Sequence, residues 1–433
     1  MNAYIRPASR HRRAFDRLVR IALLALPLVL ALAISSRAEA QDSTATSPRP
    51  ADPFSTGGAA SGGTMTTATE NQTPSEEKWG WSIFGDQDSV YPWLGHWGGD
   101  QNYTMGVGLQ ITGKFVTSVT APVRWIDRFF GAARLHHNLA NESTSLLPFG
   151  VPSYFESHTL TLGNGAFTPR RLDLDAPIFD DRPYASILSL TAAHSTIDPY
   201  KRRVLRTDLT IGALGLRLSD HIQTSIHTSR RRNNQKKDPT VLTPYDPKGW
   251  PHQISDGGEP TAKYTATWLQ AVTESKAHDL ALQTEGSLGY YTNAAVGFIA
   301  RVGWLRSDFW SVQTNPLTTV NQGLRDSGSA PPSQNRIPPR DRSRKKLEAY
   351  LYASGRGRLV LFNELLQGGF RHSDVKFDAT EVERVLTEID AGGTLSLRGL
   401  SLTIALTRRS PEYNVGFPRI HTWGGIYVVY RSQ

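Results

Sequence analysis

The chain reads as all-β: a closed antiparallel up-and-down transmembrane β-barrel of about 12 strands, with a short helical segment in an external loop. Three observations lead there. The N-terminus has the form of an export signal. No later stretch is long and apolar enough to cross a membrane as a helix, which takes roughly 20 residues. Apolar side chains instead alternate with polar ones over runs of about ten positions, with Trp, Tyr and Phe frequent among them. A soluble secreted β-sandwich also has alternating strands and is the competing class.

The export signal occupies residues 1–40. Arg6, Arg10, Arg12, Arg13, Arg17 and Arg20 form its basic region, Ile21 to Ile34 its apolar core, and Ala38-Glu39-Ala40 its cleavage site. This segment holds seven Arg against Asp16 and Glu39, which is +5 of the formal +9. The remainder carries about +4, no argument for a nucleic-acid partner. Residues 41–77 are Ser, Thr, Pro, Ala and Gly with few large apolar side chains, and read as a disordered periplasmic leader. The barrel is expected over 78–433. No residue is Cys, which excludes disulfides, thiolate metal sites and a Cys nucleophile.

Order is expected from Trp79-Gly80-Trp81, aromatics suited to a membrane interface. Strands then follow by period two. The first covers 79–84. The second places Tyr103, Met105, Val107, Leu109 and Ile111 on one face. Others cover 158–167, 186–195 and 204–218, the last with the small-residue run Ile211-Gly212-Ala213-Leu214-Gly215. The pattern resumes at 262–273, gives two strands within 279–304, and ends with 347–354, 385–397, 401–407 and 423–430. The even total suits a closed single-chain barrel. Residues 119–156 and 308–345 are long Pro- and charge-bearing excursions. Residues 219–260 form a loop with a short helix near its start, and Arg230-Arg231-Arg232 and Lys236-Lys237 lie in it.

With a periplasmic leader, odd-numbered strands end at the outer rim and even-numbered strands begin there. Asp86 then follows the first strand, Asp100 to Thr104 opens the second, and Arg170-Arg171 follows the third. Asp180-Asp181-Arg182-Pro183-Tyr184 opens the fourth, and Gln223 and His227 follow the fifth. All five clusters converge on one rim. His227 is the natural general base, because an unperturbed pKa near about 6.5 suits proton transfer at neutral pH. Gln223, four residues earlier, shares its face on a helix. Asp86 offers a hard oxygen to a divalent cation, and Thr104 a hydroxyl or backbone contact. A metal-polarised carbonyl and a His-activated water hydrolyse an ester without a protein nucleophile.

Each residue has a plainer reading. Asp86 in a loop is a turn former, Thr104 a good strand residue, and His227 a hydrogen-bonded surface group. Arg182 pairs with a carboxylate inside the barrel. Arg170 and Arg171 are solvated charge, although on an outer-membrane rim they also face lipid phosphates. Other enzyme signatures are missing: the sequence has no Gly-x-Ser-x-Gly elbow and no His-Glu-x-x-His zinc helix.

At these clusters the chain resembles the outer-membrane lipid A 3'-O-deacylase family. The matching pieces run in order from Ser82 to Tyr430. They are Gly85-Asp86, Asp100-Gln101-Asn102-Tyr103-Thr104-Met105-Gly106, Phe167-Thr168-Pro169 and Asp181-Arg182-Pro183-Tyr184-Ala185. Then come Ile211 to Gly215, Gln223-Thr224-Ser225-Ile226-His227, Gly249-Trp250-Pro251-His252-Gln253 and Arg408 to Tyr413. The resemblance implies a calcium-dependent carboxylic ester hydrolase of the cell outer membrane. Its partner is lipid A or lipopolysaccharide, from which it removes the 3'-linked acyloxyacyl chain, and a monomer is expected. By motif position His227 would be the base, and Asp86, Thr104 and Gln223 the other site residues, with Asp86 at the Ca2+. Arg170 or Arg171 would supply the substrate-binding charge of a family Lys.

Three positions depart from the family pattern, the first being the family Lys after the third strand, which has no clear counterpart here beyond the charge of Arg170 or Arg171. Gly85 stands where the family has Asn. Thr228 to Asn233 carries no acid where a Glu is expected. A barrel of this fold that only binds lipopolysaccharide, or serves structurally, is the first alternative. A channel with a wide polar lumen is the second.

Overall fold

The structure, a computed structural model, describes residues 79–88, 102–144, 154–199, 201–237, 246–255, 257–311, 347–373 and 375–432. The signal and leader assigned to 1–77 lie outside the described residues, as do Asp100 and Gln101. Twelve strands form one closed antiparallel barrel. They are β1 Gly80–Gln87, β2 Asn102–Thr112, β3 Phe155–Thr168, β4 Ala185–Asp198, β5 Arg203–Leu214 and β6 Glu259–Glu274. The second half is β7 His278–Gly289, β8 Tyr291–Trp304, β9 Glu348–Asn363, β10 Val385–Leu397, β11 Leu400–Arg409 and β12 His421–Arg431. Each strand pairs with its sequence neighbours. β1 closes the ring on β12, in register from Gly80↔Arg431 to Gln87↔Gly424. Closure leaves no unpaired edge, which the apolar part of a membrane would not tolerate. No helix among the described residues is long and apolar enough to cross a membrane.

The period-two pattern separates two surfaces. Ile83, Val107, Ile211, Val296, Leu351 and Ile389 are exposed and form the outer wall. Their neighbours in sequence, such as Phe84, Asp208, Arg358 and Asp390, are buried and point into the lumen. We call the end where β1, β3 and β5 finish the rim, and the opposite end the base. Near the rim, Tyr103, Phe167, Ile187, Leu214, Ile254 and Trp423 pack together. Near the base, Phe309 and Trp310 of a single 3-10 turn pack on Ile197, Val204 and Leu269. Burying one such Phe contributes about 1.5–3 kcal/mol.

Four elements depart from the expected ones. The fifth strand stops at Leu214 rather than running to 218, because Gly215 takes φ 71° and turns the chain away. The excursion 119–156 carries two helices, α1 Ala121–Phe129 and α2 Ala132–Thr144. The helix after β5 is not short: α3 spans Leu218–Lys237, so Arg230-Arg231-Arg232 and Lys236-Lys237 are helical. Strand β9 also runs past Ser354 to Asn363, carried through Gly355 and Gly357 by alternating Arg356, Arg358, Val360 and their outward neighbours.

Candidate active site on the outer wall at the rim

A single extra residue in β2 decides which side of the wall Thr104 and its neighbours reach. The β2–β3 register shifts between Tyr103 and Met105, so Thr104 is a bulge. One extra residue inverts the alternation. Tyr103 therefore faces the lumen and donates its hydroxyl to Asp86 Oδ2 at 3.1 Å. Met105 faces outward and packs with Ala166, Tyr184 and Trp250. The expectation that Tyr103 and Met105 share a face is corrected by this bulge.

Helix α3 lies against the outer wall. Asn164 of β3 is cross-strand from exposed Val107, which puts it on the outer face, and its amide donates to Ser219 Oγ at 3.2 Å. Ser219, Gln223 and His227 recur every four residues and form one stripe, and all three are buried. The indole Nε1 of Trp250 donates to Gln223 Oε1 at 2.9 Å. Because an indole can only donate, this bond fixes which end of the Gln223 amide is oxygen and turns its NH2 away from Trp250. Gly249 brings the chain past Tyr184: a Cβ there would lie 2.3 Å from the Tyr184 ring. Thr104 Oγ1 and Thr168 Oγ1 are 2.6 Å apart, the latter on the outward alternation of β3.

Thr104, Gln223 and His227 thus belong to one side of the wall. Asp86 belongs to the other. It follows inward-facing Ser82 and Phe84 on β1, is buried, and accepts from Tyr103 and Tyr427. Its position on a strand inside the lumen, rather than in a rim loop, reflects the extension of β1 to Gln87. Arg170 and Arg171 are exposed just beyond Thr168; the Arg170 N–H bonds Asp181 at 2.7 Å, and Arg171 stands 3.9 Å from Asp180. An acid passed over in the sequence, Asp88, is tied to this corner by its backbone: its N–H reaches the Thr104 carbonyl at 3.4 Å. Only the partner strands reveal that contact.

Calcium takes about 6–8 hard oxygens, carboxylates prominent among them. The described outer-wall side chains offer the neutral oxygens of Thr104, Thr168 and Gln223, with Asp86 across the wall. That donor set does not fit calcium, and no step below passes through the ion. Two other groups of His and carboxylate side chains with metal-ligating spacing do occur, both near the base: Asp127, His136 and His194, and Glu156, His158 and His194.

A closed twelve-strand antiparallel barrel with an apolar outer wall and a helix packed against it defines an outer-membrane β-barrel protein. The description "Outer membrane protein LpxR" matches residues 59–432, and the chain belongs to that family. Among solved structures, LpxR from Salmonella typhimurium superposes with TM-score 0.53 at 13% identity, covering 81% of this chain and 99% of that one. The β domain of the Bordetella autotransporter BrkA gives TM-score 0.33 at 10% identity, with 82% of this chain and 98% of that one covered. The COG4313 outer membrane channel from Pseudomonas putida F1 gives 0.36, 10%, 83% and 97%. No curated protein sequence matches the chain.

Proposed function

We infer that the protein hydrolyses the 3'-linked acyloxyacyl ester of lipid A, with His227 as general base. One observation carries this reading: the Ser219–Gln223–His227 stripe is turned onto the outer wall, the side to which the Thr104–Thr168 contact also belongs, and not into the lumen. A lipid ester can reach such a site sideways from the leaflet. His227 takes a proton from water as the water oxygen attacks the ester carbonyl, and returns it to the leaving sugar oxygen when the tetrahedral intermediate collapses. The Gln223 amide NH2 is suited to receive the developing oxyanion. Thr104, fixed by Thr168, lines the approach, and Arg170 and Arg171 face the phosphates of the same lipid.

The position of Asp86 favours a second reading, a barrel that binds lipopolysaccharide without turnover. Mass spectrometry of lipid A from cells expressing the protein separates the two. Deacylation predicts loss of one acyloxyacyl group in the wild type, with His227→Ala losing at least roughly 100-fold in rate. An unchanged spectrum with folded wild-type protein favours the binding barrel. Repeating the assay with calcium and with chelator tests the cofactor: loss of deacylation in chelator supports a divalent cation, and activity unchanged in chelator removes it.

A further inference from the structure

Near the base, the α1–α2 pair packs on the outer wall of β3, β4 and β5. His194 of β4 shares the alternation of exposed Leu190, and its cross-strand partners are His158 on β3 and Thr207 on β5. The helices present Asp127 and His136 to these wall residues. Asp127 Oδ2 lies 4.0 Å from His136 Nε2 and 3.9 Å from His194 Nδ1. The two imidazoles stack with centroids 4.4 Å apart. All three residues are buried, and their ligating atoms lie within 4.8 Å of one another.

The groups around this triad are those that orient metal ligands. The ring nitrogen of His136 not facing Asp127, Nδ1, is 2.7 Å from Thr196 Oγ1. The far nitrogen of His194, Nε2, is 3.8 Å from a carboxylate oxygen of Glu156. Metal-bound imidazoles commonly hold their second ring N–H as His136 Nδ1 is held by Thr196, whereas Glu156 stands beyond hydrogen-bond reach of His194. Thr207 Oγ1 donates to Asp127 Oδ2 at 3.1 Å, and Tyr264 donates to Asp127 Oδ1 at 2.7 Å. Neither ring nitrogen of His194 makes a hydrogen bond, although the residue is only 5% exposed. His136 Nε2 also lies 3.2 Å from Thr207 Oγ1, a contact that a bound ion would replace.

We propose that Asp127, His136 and His194 bind one divalent transition-metal ion of the zinc type, clamping the α1–α2 pair to the barrel wall. Two imidazoles and one carboxylate are a borderline-soft donor set, which suits zinc and not calcium or magnesium. Tetrahedral ligands at zinc stand roughly 3.3 Å apart, so Asp127 must close by under an ångström on each imidazole, and the two imidazole nitrogens, within 4.8 Å of each other, must also draw together. The site lies at the other end of the barrel from His227 and is independent of the ester hydrolysis inferred above. The rival occupant is a proton, His194 then standing as imidazolium between Asp127 and Glu156.

The test is calorimetric titration of the chelator-stripped, detergent-solubilised full chain with zinc, with elemental analysis after dialysis. One zinc per chain is expected, not displaced by millimolar-scale calcium. His194→Gln and His136→Gln should each weaken binding by roughly 100-fold or more, and His227→Gln should not. His136 lies on a helix outside the strand ladder, so its variant reports on ligation even if the β4 variant misfolds; heat-modifiable migration in gels checks that the barrel is intact. Absence of stoichiometric zinc, zinc binding indifferent to both base variants, or loss of zinc in His227→Gln alone overturns the proposal.

Discussion

Asp181 holds the rim together through four partners. Its carboxylate accepts from the N–H groups of Arg170 and Arg182, from Tyr413 Oη at 2.8 Å and from Arg419 Nη1 at 2.8 Å. Arg182 beside it is fully buried, stacks 4.2 Å over the Phe167 ring and is bonded to Glu412. Glu412 also accepts from Arg409 at 3.1 Å. Burial works against the Glu412 charge, yet Arg182 and Arg409 outweigh it and hold the carboxyl well below the usual carboxylate range. A depressed folded pKa stabilises the fold above the unfolded value and is lost only as pH falls through the folded value. The Glu412 contribution should therefore be constant between about pH 7 and 5 and fade only in stronger acid. Glu412→Gln leaves a buried guanidinium without its countercharge and should cost about 3–5 kcal/mol. Urea unfolding of the detergent-solubilised barrel at pH 7 measures it; a loss below 1 kcal/mol (on the order of a surface pair) would show that Arg182 finds other partners.

At the scale of elements, all twelve strands were legible because a barrel wall writes its two surfaces into alternate residues. What the sequence hid follows from the same rule. A bulge is one residue long and leaves no gap in the alternation, so the change of face between Tyr103 and Met105 appears only in the β2–β3 register. The order of strand ends brings His227, Gln223 and Thr104 to one rim, but it does not tell that Asp86, on the inward alternation of β1, stands on the other side of the wall. Helices α1 and α2 were missed because their pattern has period near four, in a stretch searched for strands. Their outward side carries Trp125, 70% exposed, and Phe129, 80% exposed, among Arg124, Arg128 and Arg134. On the outer wall of a membrane barrel, such a face meets lipid acyl chains while its Arg groups meet headgroups. In proteoliposomes, Trp125→Phe should remove a component of Trp emission that brominated acyl chains quench. Quenching identical in wild type and variant would place this face in water.

Among the described residues, the barrel lumen is crossed by ion pairs rather than left as an open polar channel. Arg356 Nη2 lies 2.8 Å from Glu388, Arg358 Nη1 donates to Glu285 at 2.6 Å, and Arg409 Nε donates to Glu388 at 2.7 Å. These residues project inward from β7, β9, β10 and β11, and the cavity left among the lumenal side chains near the rim is about 140 Å³. Toward the base, Phe309 and Trp310 pack into the lumen. A pore carrying hydrated ions needs a continuous aqueous path, and here charges that would line one are consumed by each other across it. Breaking the lattice is costly, since each partner would be left desolvated and unpaired. The expected outcome in planar bilayers is therefore no steady conductance, in wild type and equally in a Phe309→Ala, Trp310→Ala double variant, because the ion-pair layer above the base still closes the barrel. Opening of regular current steps in that double variant alone would locate the only seal at the base. Regular steps in the wild type would restore the channel reading and remove the reason to look for function on the outer wall.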